Sequence, residues 1–228
     1  MRGALLAMLA LGACARGGSV SDDDGAASGP DAGVADASPD ARLPDSPPPP
    51  PPDACVPMTT QLLANPALDL TPMGTGWVQQ PINSNYPLIT AQDSPNGPAE
   101  HSPPYKVWLG GFNGNGITDV LRQDLAIPAM TTQLVLTGFY QVRTGESGST
   151  VFDTASIALT QPTDTPIETA LAVSNATPKS TWTAFAHSFT QNVSGQTVRL
   201  RLTSRSDATN PTSFFFDTLA LTATHGCP

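Results

Sequence analysis

The ten residues Gln196–Arg205 (QTVRLRLTSR) decide the fold class of this chain. Their aliphatic members, Val198, Leu200 and Leu202, alternate with polar residues, which is the period-two pattern of a β-strand with one face in a core. The pattern predicts that these three side chains are buried and that the two intervening arginines face water.

Runs of the same kind recur through residues 55–228, separated by Gly, Pro, Asn and Asp. No helical period extends over three turns in this region. The runs predict strands near residues 61–70, 76–80, 106–109, 118–127, 132–143, 151–160, 167–174, 181–189, 196–205 and 213–223. Many short strands at even spacing predict an all-β domain, built as an antiparallel β-sandwich.

The first 13 residues have the layout of an export signal. Arg2 precedes an apolar run, residues 4–13, which is too short to span a hydrocarbon core that needs roughly 20 residues. The end of the run, Leu11–Cys14 (LGAC), resembles the bacterial lipoprotein signal. The resemblance implies cleavage before Cys14, acyl chains on that residue, and a lipid-anchored protein of the cell envelope, at the outer membrane or cell surface. An ordinary cleaved signal that happens to contain a cysteine is the alternative.

Residues 14–54 differ in composition from the rest of the chain. After Cys14 they consist largely of Asp, Ala, Ser, Gly and Pro, and they include the run Pro47–Pro52. Such a segment cannot bury enough apolar surface to offset its chain entropy. It is therefore predicted to be a disordered tether that carries the folded domain, residues 55–228.

The chain contains three cysteines. Lipidation of Cys14 leaves Cys55 and Cys227, which bracket the predicted domain. An oxidising compartment permits a disulfide between them, and two free thiols are the alternative.

Two aspartates share the parity of core residues in their predicted strands. Asp217 has the parity of Leu219, and Asp153 has the parity of Ile157. A buried carboxylate is costly unless it is paired, hydrogen-bonded or bound to a metal. Hydrogen bonds to loop backbone, a calcium site and a ligand-binding role all remain open.

Several aromatic side chains are candidates for a surface that stacks on sugar rings. Trp108 and Trp182 have apolar neighbours in predicted strands and are expected in the core. Tyr86, Tyr105 and Phe112 lie in segments rich in Pro, Gly and Asn. These three are the candidate ligand-binding residues.

Catalytic motifs are missing from the sequence. It contains neither H-E-x-x-H nor G-x-S-x-G, and His101, His187 and His225 are far apart along the chain. The sequence therefore predicts that the protein is not an enzyme. A formal net charge of −9 argues against nucleic acid as a partner, since phosphate binding needs a basic surface.

Short motifs along the domain occur in a recognisable order. They include Val107–Gly111 (VWLGG), Leu125–Pro128 (LAIP), Val193–Leu200 (VSGQTVRL) and Thr212–Asp217 (TSFFFD). The set resembles the non-catalytic β-sandwich that follows the protease domain in secreted bacterial peptidases of the immune-inhibitor and sedolisin types. It is similar, more distantly, to galactose-binding-like jelly rolls and carbohydrate-binding modules. The resemblance implies an accessory domain for adhesion or substrate targeting.

The same resemblance implies structural calcium between the first and last strands, where Asp69 and Asp217 match the positions of the ligands. The last strand often reads Asp-Asp-Val in such domains, whereas this chain has Asp-Thr-Leu, which weakens the metal expectation. Glu146, Asp153 and Asp207 match further recurring acidic positions to which the resemblance gives no role.

Together these features predict a surface-anchored lipoprotein whose β-sandwich is a non-catalytic binding or adhesion module. The predicted ligand is a carbohydrate or another extracellular polymer. A structural or protein-interaction lipoprotein of the envelope is the alternative, and a hydrolase is the least favoured.

Overall fold

The computed structural model describes residues 56–81, 85–91, 97–112 and 116–226. The signal, the tether, Cys14, Cys55 and Cys227 all lie outside the described residues. The strands of the described part are β1 (Met58–Gln61), β2 (Val78–Gln80), β3 (Ile89–Thr90), β4 (Lys106–Gly110), β5 (Ile117–Ala126), β6 (Thr131–Thr144), β7 (Thr154–Thr160), β8 (Pro166–Ser174), β9 (Lys179–Ser188), β10 (Thr197–Ser206) and β11 (Thr212–His225). Within the described residues, no helix has the length and apolar character that crossing a bilayer requires.

The strands form two antiparallel sheets. The first sheet has the order β3-β4-β11-β6-β9, with β1 also paired to β11, and the second has the order β2-β5-β10-β7-β8. Aliphatic and aromatic side chains from both sheets form one buried cluster. The structure therefore confirms the predicted all-β, antiparallel β-sandwich.

Strand β10 shows how the sequence pattern produces this core. Val198, Leu200 and Leu202 are all fully buried, as predicted. Arg199 points away from the core but is only 7% exposed, so the prediction that it faces water is wrong. It is covered because its guanidinium binds Asp124 on β5 and Asp164 in the β7–β8 turn, at distances of 2.6 and 2.7 Å.

Strand β11 changes its inward-facing parity partway along its length. Phe214 and Phe216 belong to the core, and so do Leu219 and Leu221. The change takes place at a β-bulge between residues 217 and 220, where the register with β6 shifts and Thr218 has φ of 51°. The prediction that residue 217 shares the inward parity of Leu219 assumed a regular strand and is wrong for this reason, but Asp217 is 0% exposed, so the predicted burial of its carboxylate is confirmed.

The predicted strand at residues 61–70 is also wrong. Strand β1 ends at Gln61, and residues 62–77 form a loop. Asn65 and Leu68 have φ of 56° and 63°, which are incompatible with extended backbone. The Asn65 side chain holds the loop by donating to the carbonyl of Thr75 at 3.0 Å and accepting the backbone N–H of Leu70 at 3.1 Å.

Candidate functional site

Two aromatic rings lie side by side on the outer face of the first sheet. Phe215 of β11 is the cross-strand partner of Trp108 of β4, and their ring centroids are 5.7 Å apart with planes inclined by 34°. Trp108 Nε1–H donates to Ser213 Oγ at 3.1 Å, which fixes the orientation of the indole. Gly111 allows this close approach, because a Cβ there would lie 2.8 Å from Trp108 Nε1.

Polar side chains of β6 continue the same face. Arg143 is the cross-strand partner of Ser213, and Gln141 is the partner of Phe215. Arg143 Nη2 donates to the carbonyl of Ser180 at 2.9 Å. In the described part of the chain, Arg143 Nε is buried and has no hydrogen-bond partner. Leaving a buried donor unsatisfied costs about 1–3 kcal/mol.

An open cavity of about 490 Å³, which we call the Trp108 cavity, lies on this face. Its apolar lining is the Trp108 indole with Phe215, which is 1% exposed, whereas Arg143, Thr144 and Ser213 supply polar groups. A few polar groups against an apolar wall, in a volume of about 300–1,000 Å³, are typical of sites for small molecules.

Two of the predicted ligand-binding residues lie at one margin of this face. The rings of Tyr86 and Phe112 meet edge to face, with centroids 5.3 Å apart, and the residues are 50% and 42% exposed. Together with Trp108 they border a depression of about 20 Å³, which is large enough for only one water molecule. Trp108 borders both this depression and the Trp108 cavity, so the exposed Tyr86–Phe112 pair lies next to the cavity.

The other aromatic predictions have different outcomes. Tyr105 is half-buried and packs against the core instead of standing in the loop surface. Trp108 and Trp182 are both half-buried and lie outside the core, so their predicted core positions are wrong. Alternation explains the error at β4, because its neighbours Val107 and Leu109 take the inward positions and leave the indole on the outer face.

Three predicted acidic residues are brought together at one end of the second sheet. An oxygen from each of Glu146, Asp153 and Asp207 lies within 4.8 Å of the others, and we call this group the acidic cluster. Asp153 is 1% exposed and its Oδ1 accepts the backbone N–H of Asp207 at 2.8 Å. Its Oδ2 is buried and has no hydrogen-bond partner among the described residues.

The structure places Asp217 against the loop before β4. Its Oδ2 accepts the backbone N–H groups of His101 and Ser102 at 2.8 and 3.0 Å, and its Oδ1 accepts that of Thr218. Burial raises the pKa of Asp217, although these hydrogen bonds act in the opposite direction. His101 Nδ1 lies 2.8 Å from Thr218 Oγ1, but Asp217 contacts the backbone of His101 and not its ring, so the three do not form a catalytic triad.

Asp69, the proposed partner of Asp217 in a calcium site, is exposed in the loop after β1. The calcium expectation at Asp69 and Asp217 stays a prediction.

A second open cavity, of about 580 Å³, lies beside the beginning of β6 and the β9–β10 loop. We call it the Met130 cavity. Met130 is 43% exposed on its rim, whereas Phe189, the aromatic residue that lines it, is 9% exposed. It therefore lacks a partly exposed aromatic ring of the kind that Trp108 gives to the Trp108 cavity.

Comparison with known proteins finds similarity at the level of solved structures. No protein-family model matches the sequence, and no curated protein matches it. A carbohydrate-binding module in complex with β-1,4-galactotriose is 13% identical, with a TM-score of 0.46 over 71% of this chain and 97% of that one. The K3 cleaved adhesin domain of Lys-gingipain from Porphyromonas gingivalis W83 is 12% identical, with a TM-score of 0.45 over 72% of this chain and 99% of that one.

An arabinose-bound α-L-arabinofuranosidase is 14% identical, with a TM-score of 0.46 over 72% of this chain and 26% of that one. Because all three TM-scores are below 0.5, the function proposed below rests on the residues of this chain.

Proposed function

We propose that this chain is a non-catalytic binding module that holds a carbohydrate, or another hydroxyl-rich extracellular polymer, at the bacterial cell surface. The observation that carries the proposal is the Trp108 cavity. There, the half-buried Trp108 indole, which Phe215 and Ser213 hold in place, lies beside the Arg143 guanidinium.

The chemistry of this cavity fits a sugar ring. A pyranose has an apolar face of C–H groups and a rim of hydroxyls, so it needs a flat apolar wall and nearby hydrogen-bonding groups. Trp108 supplies the wall, since aromatic side chains combine large apolar surfaces with an electron-rich face. Phe215 is 1% exposed and packs against the indole, with ring centroids 5.7 Å apart. The Arg143 guanidinium lines the cavity and is a hydrogen-bond donor. The Thr144 and Ser213 hydroxyls, which accept N–H groups of Glu146 and Trp108, also line it.

The edge formed by Tyr86 and Phe112 extends the same surface. Both rings are substantially exposed, and Trp108 borders both this edge and the cavity. A surface that continues beyond a single cavity suits a polymer with several residues in contact. Neighbouring sugars of one polymer can contact the two aromatic groups at the same time. The affinity of the protein for the polymer is then higher than either contact alone would give.

The charge of the chain favours an uncharged ligand. The net charge of −9 repels polyanions, and so neutral polysaccharides are preferred to acidic ones and nucleic acid is not an expected partner.

The proposal includes the anchor. Cys14 carries acyl chains, residues 15–54 tether the domain, and Cys55 and Cys227 form a disulfide at its ends. Several acyl chains give stable anchoring where one would be marginal. In this arrangement the protein is exported, held at the outer membrane or cell surface, and serves as the kind of accessory module that its motif order resembles.

The test is binding of the full chain to a panel of neutral polysaccharides on a glycan array, followed by pull-down on the polymers that retain it. We expect retention that Trp108→Ala and Arg143→Gln each weaken at least tenfold. Met130→Ala, at the rim of the other cavity, is the matched control and should bind as the wild type does.

Failure of every polymer to retain the protein would contradict the carbohydrate proposal. Cross-links to a specific envelope protein under those conditions would favour the interaction alternative instead. Release of shorter sugars from a retained polymer would favour a hydrolase.

A further inference from the structure

We propose that the acidic cluster of Glu146, Asp153 and Asp207 is a calcium site that ties together the two loops between which it lies. None of the three acids lines the Trp108 cavity, although the backbone N–H of Glu146 donates to Thr144 Oγ1 of that cavity. The proposal does not depend on the identity of any polymer.

Strand pairing brings the three carboxylates together. Asp153 immediately precedes β7, and Asp207 immediately follows β10. Because Thr154 pairs with Arg205 in the antiparallel register, the beginning of β7 meets the end of β10. Glu146 comes from the β6–β7 loop, where its backbone N–H donates to Thr144 Oγ1 at 2.9 Å. The cluster therefore joins residues from two loops at one sheet end.

One buried carboxylate oxygen in the cluster accepts no hydrogen bond from the described residues. Asp153 is 1% exposed, and its Oδ2 has no hydrogen-bond partner within the part of the chain that the structure describes. A buried anionic oxygen without a donor or a counter-charge is strongly unfavourable. A cation bound by this oxygen removes that penalty.

The Thr209 hydroxyl is surrounded by more carboxylate oxygens than it has protons to donate. Its Oγ1 lies 2.6 Å from Glu146 Oε1, and 2.9 and 3.0 Å from the two carboxylate oxygens of Asp207. A hydroxyl has one proton and cannot satisfy all three contacts. No ion pair links any of the three acids to a lysine or arginine in the described ranges.

The backbone around the cluster is held in place by a buried amide. Asn175 is 2% exposed, and its Oδ1 accepts the backbone N–H groups of Phe152 and Asp153 at 2.8 and 3.0 Å. Its Nδ2 donates to the carbonyl of Thr150 at 2.8 Å. The loop therefore presents Asp153 in a fixed position, which lowers the entropy lost on binding.

Calcium is the cation that this chemistry favours. All the candidate ligands are oxygens, namely three carboxylates and the Thr209 hydroxyl, and hard cations prefer such groups. Calcium accepts six to eight oxygens in flexible geometry, and water or loop carbonyls can complete its shell. Magnesium requires a stricter octahedron, and zinc prefers nitrogen and sulfur ligands.

The direct test is calorimetric titration of the full chain with calcium chloride after removal of metal by a chelator, with thermal melts alongside. We expect one calcium per chain. At a hundredfold excess over Kd, the Tm should rise by roughly 5–10 °C for a domain of this size. An equal concentration of magnesium should raise it much less.

Glu146→Gln and Asp207→Asn change half-exposed loop residues and should leave the fold intact while weakening calcium affinity at least tenfold. Asp69→Asn, which changes an exposed acid of the loop after β1, is the matched control and should bind calcium as the wild type does. A wild-type protein that shows neither calcium heat nor a Tm shift would overturn the proposal. So would a response that Asp69→Asn abolishes and that Glu146→Gln leaves unchanged.

Discussion

The rings of Tyr86 and Phe112 meet edge to face, with centroids 5.3 Å apart and an interplanar angle of 78°. The two residues come from different loops, before β3 and after β4, and both remain substantially exposed. An aromatic pair of this geometry contributes about 0.5–1.5 kcal/mol beyond its buried area. Each ring therefore holds the other in position at the margin of the Trp108 cavity.

Removal of this pair should weaken polymer binding without unfolding the domain. We expect Tyr86→Ala and Phe112→Ala each to lower the affinity for a retained polysaccharide by roughly tenfold, since base or sugar stacking on one ring is worth about 1–3 kcal/mol by analogy with nucleic-acid stacking. Affinity electrophoresis of the full chain measures the change.

Phe152→Ala is the matched control for these variants, because Phe152 is also 42% exposed. It lies in the β6–β7 loop, next to Asp153, and not in the loops that carry Tyr86 and Phe112. Its affinity should equal that of the wild type in calcium buffer. Equal losses in all three variants would contradict a specific role for the pair.

The second prediction concerns stability at Asp217. Replacement by Asn puts an amide N–H₂ where three backbone N–H groups now converge on two carboxylate oxygens. At least one donor loses its acceptor, so Asp217→Asn should lower the free energy of unfolding by about 1–3 kcal/mol at pH 7. Urea denaturation gives this value, and an unchanged midpoint would show that the His101–Ser102 loop does not need the carboxylate.

The third prediction is a pH dependence at Arg199. Hydrogen bonds from its guanidinium hold the pKa of Asp124 below the ordinary value of 3.8. The pair therefore contributes fully above pH 3.8, and its contribution is lost as the pH falls through the lowered pKa of Asp124. Because Asp124 is half-exposed, Asp124→Asn should cost only about 0.5–1 kcal/mol at pH 7, and this cost should shrink as the pH falls below 3.8 through the lowered pKa of Asp124.

Urea titrations of the wild type and Asp124→Asn at a series of pH values measure this difference. A difference in unfolding free energy that does not shrink as the pH falls below 3.8 would exclude the ion pair as its source.

The fourth prediction tests the anchor. Cys14→Ser removes the thiol that acylation requires, so the protein should move from the membrane fraction to the soluble exported fraction when expressed in a Gram-negative bacterium. Metabolic labelling with an alkyne-bearing fatty acid should mark the wild type and not the variant. Membrane association that survives the substitution would contradict lipid anchoring through Cys14.

Alternation along the sequence was enough to predict the sandwich and most of its strands. Strand β10 illustrates this, because Val198, Leu200 and Leu202 have the burial that their spacing predicts. The two-residue strand β3 carries too short a pattern to be found in this way. Loop 62–77 was missed because its course depends on the positive φ of Asn65 and on a side-chain network, neither of which alternation encodes.

The candidate sites were predicted in part. The position of Tyr86 and Phe112 in predicted loops led to their prediction as exposed ligand-binding residues. The resemblance to accessory domains pointed to the acidic residues Glu146, Asp153 and Asp207. Arg143 and Phe215 were missed as binding residues, because their positions on the outer face depend on strand pairing between β11 and β6 and on a bulge that reverses the parity of β11. Such information is non-local and comes only from the assembled sheet.

Saturation-transfer difference NMR on the full chain, with an oligosaccharide of a retained polymer, tests the central claim most directly. Irradiation of aromatic protein protons should transfer magnetisation chiefly to C–H protons on one face of the sugar ring, and the transfer should disappear in Trp108→Ala. Transfer that is equal on both ring faces, or that persists unchanged in Trp108→Ala, would contradict carbohydrate stacking in the Trp108 cavity.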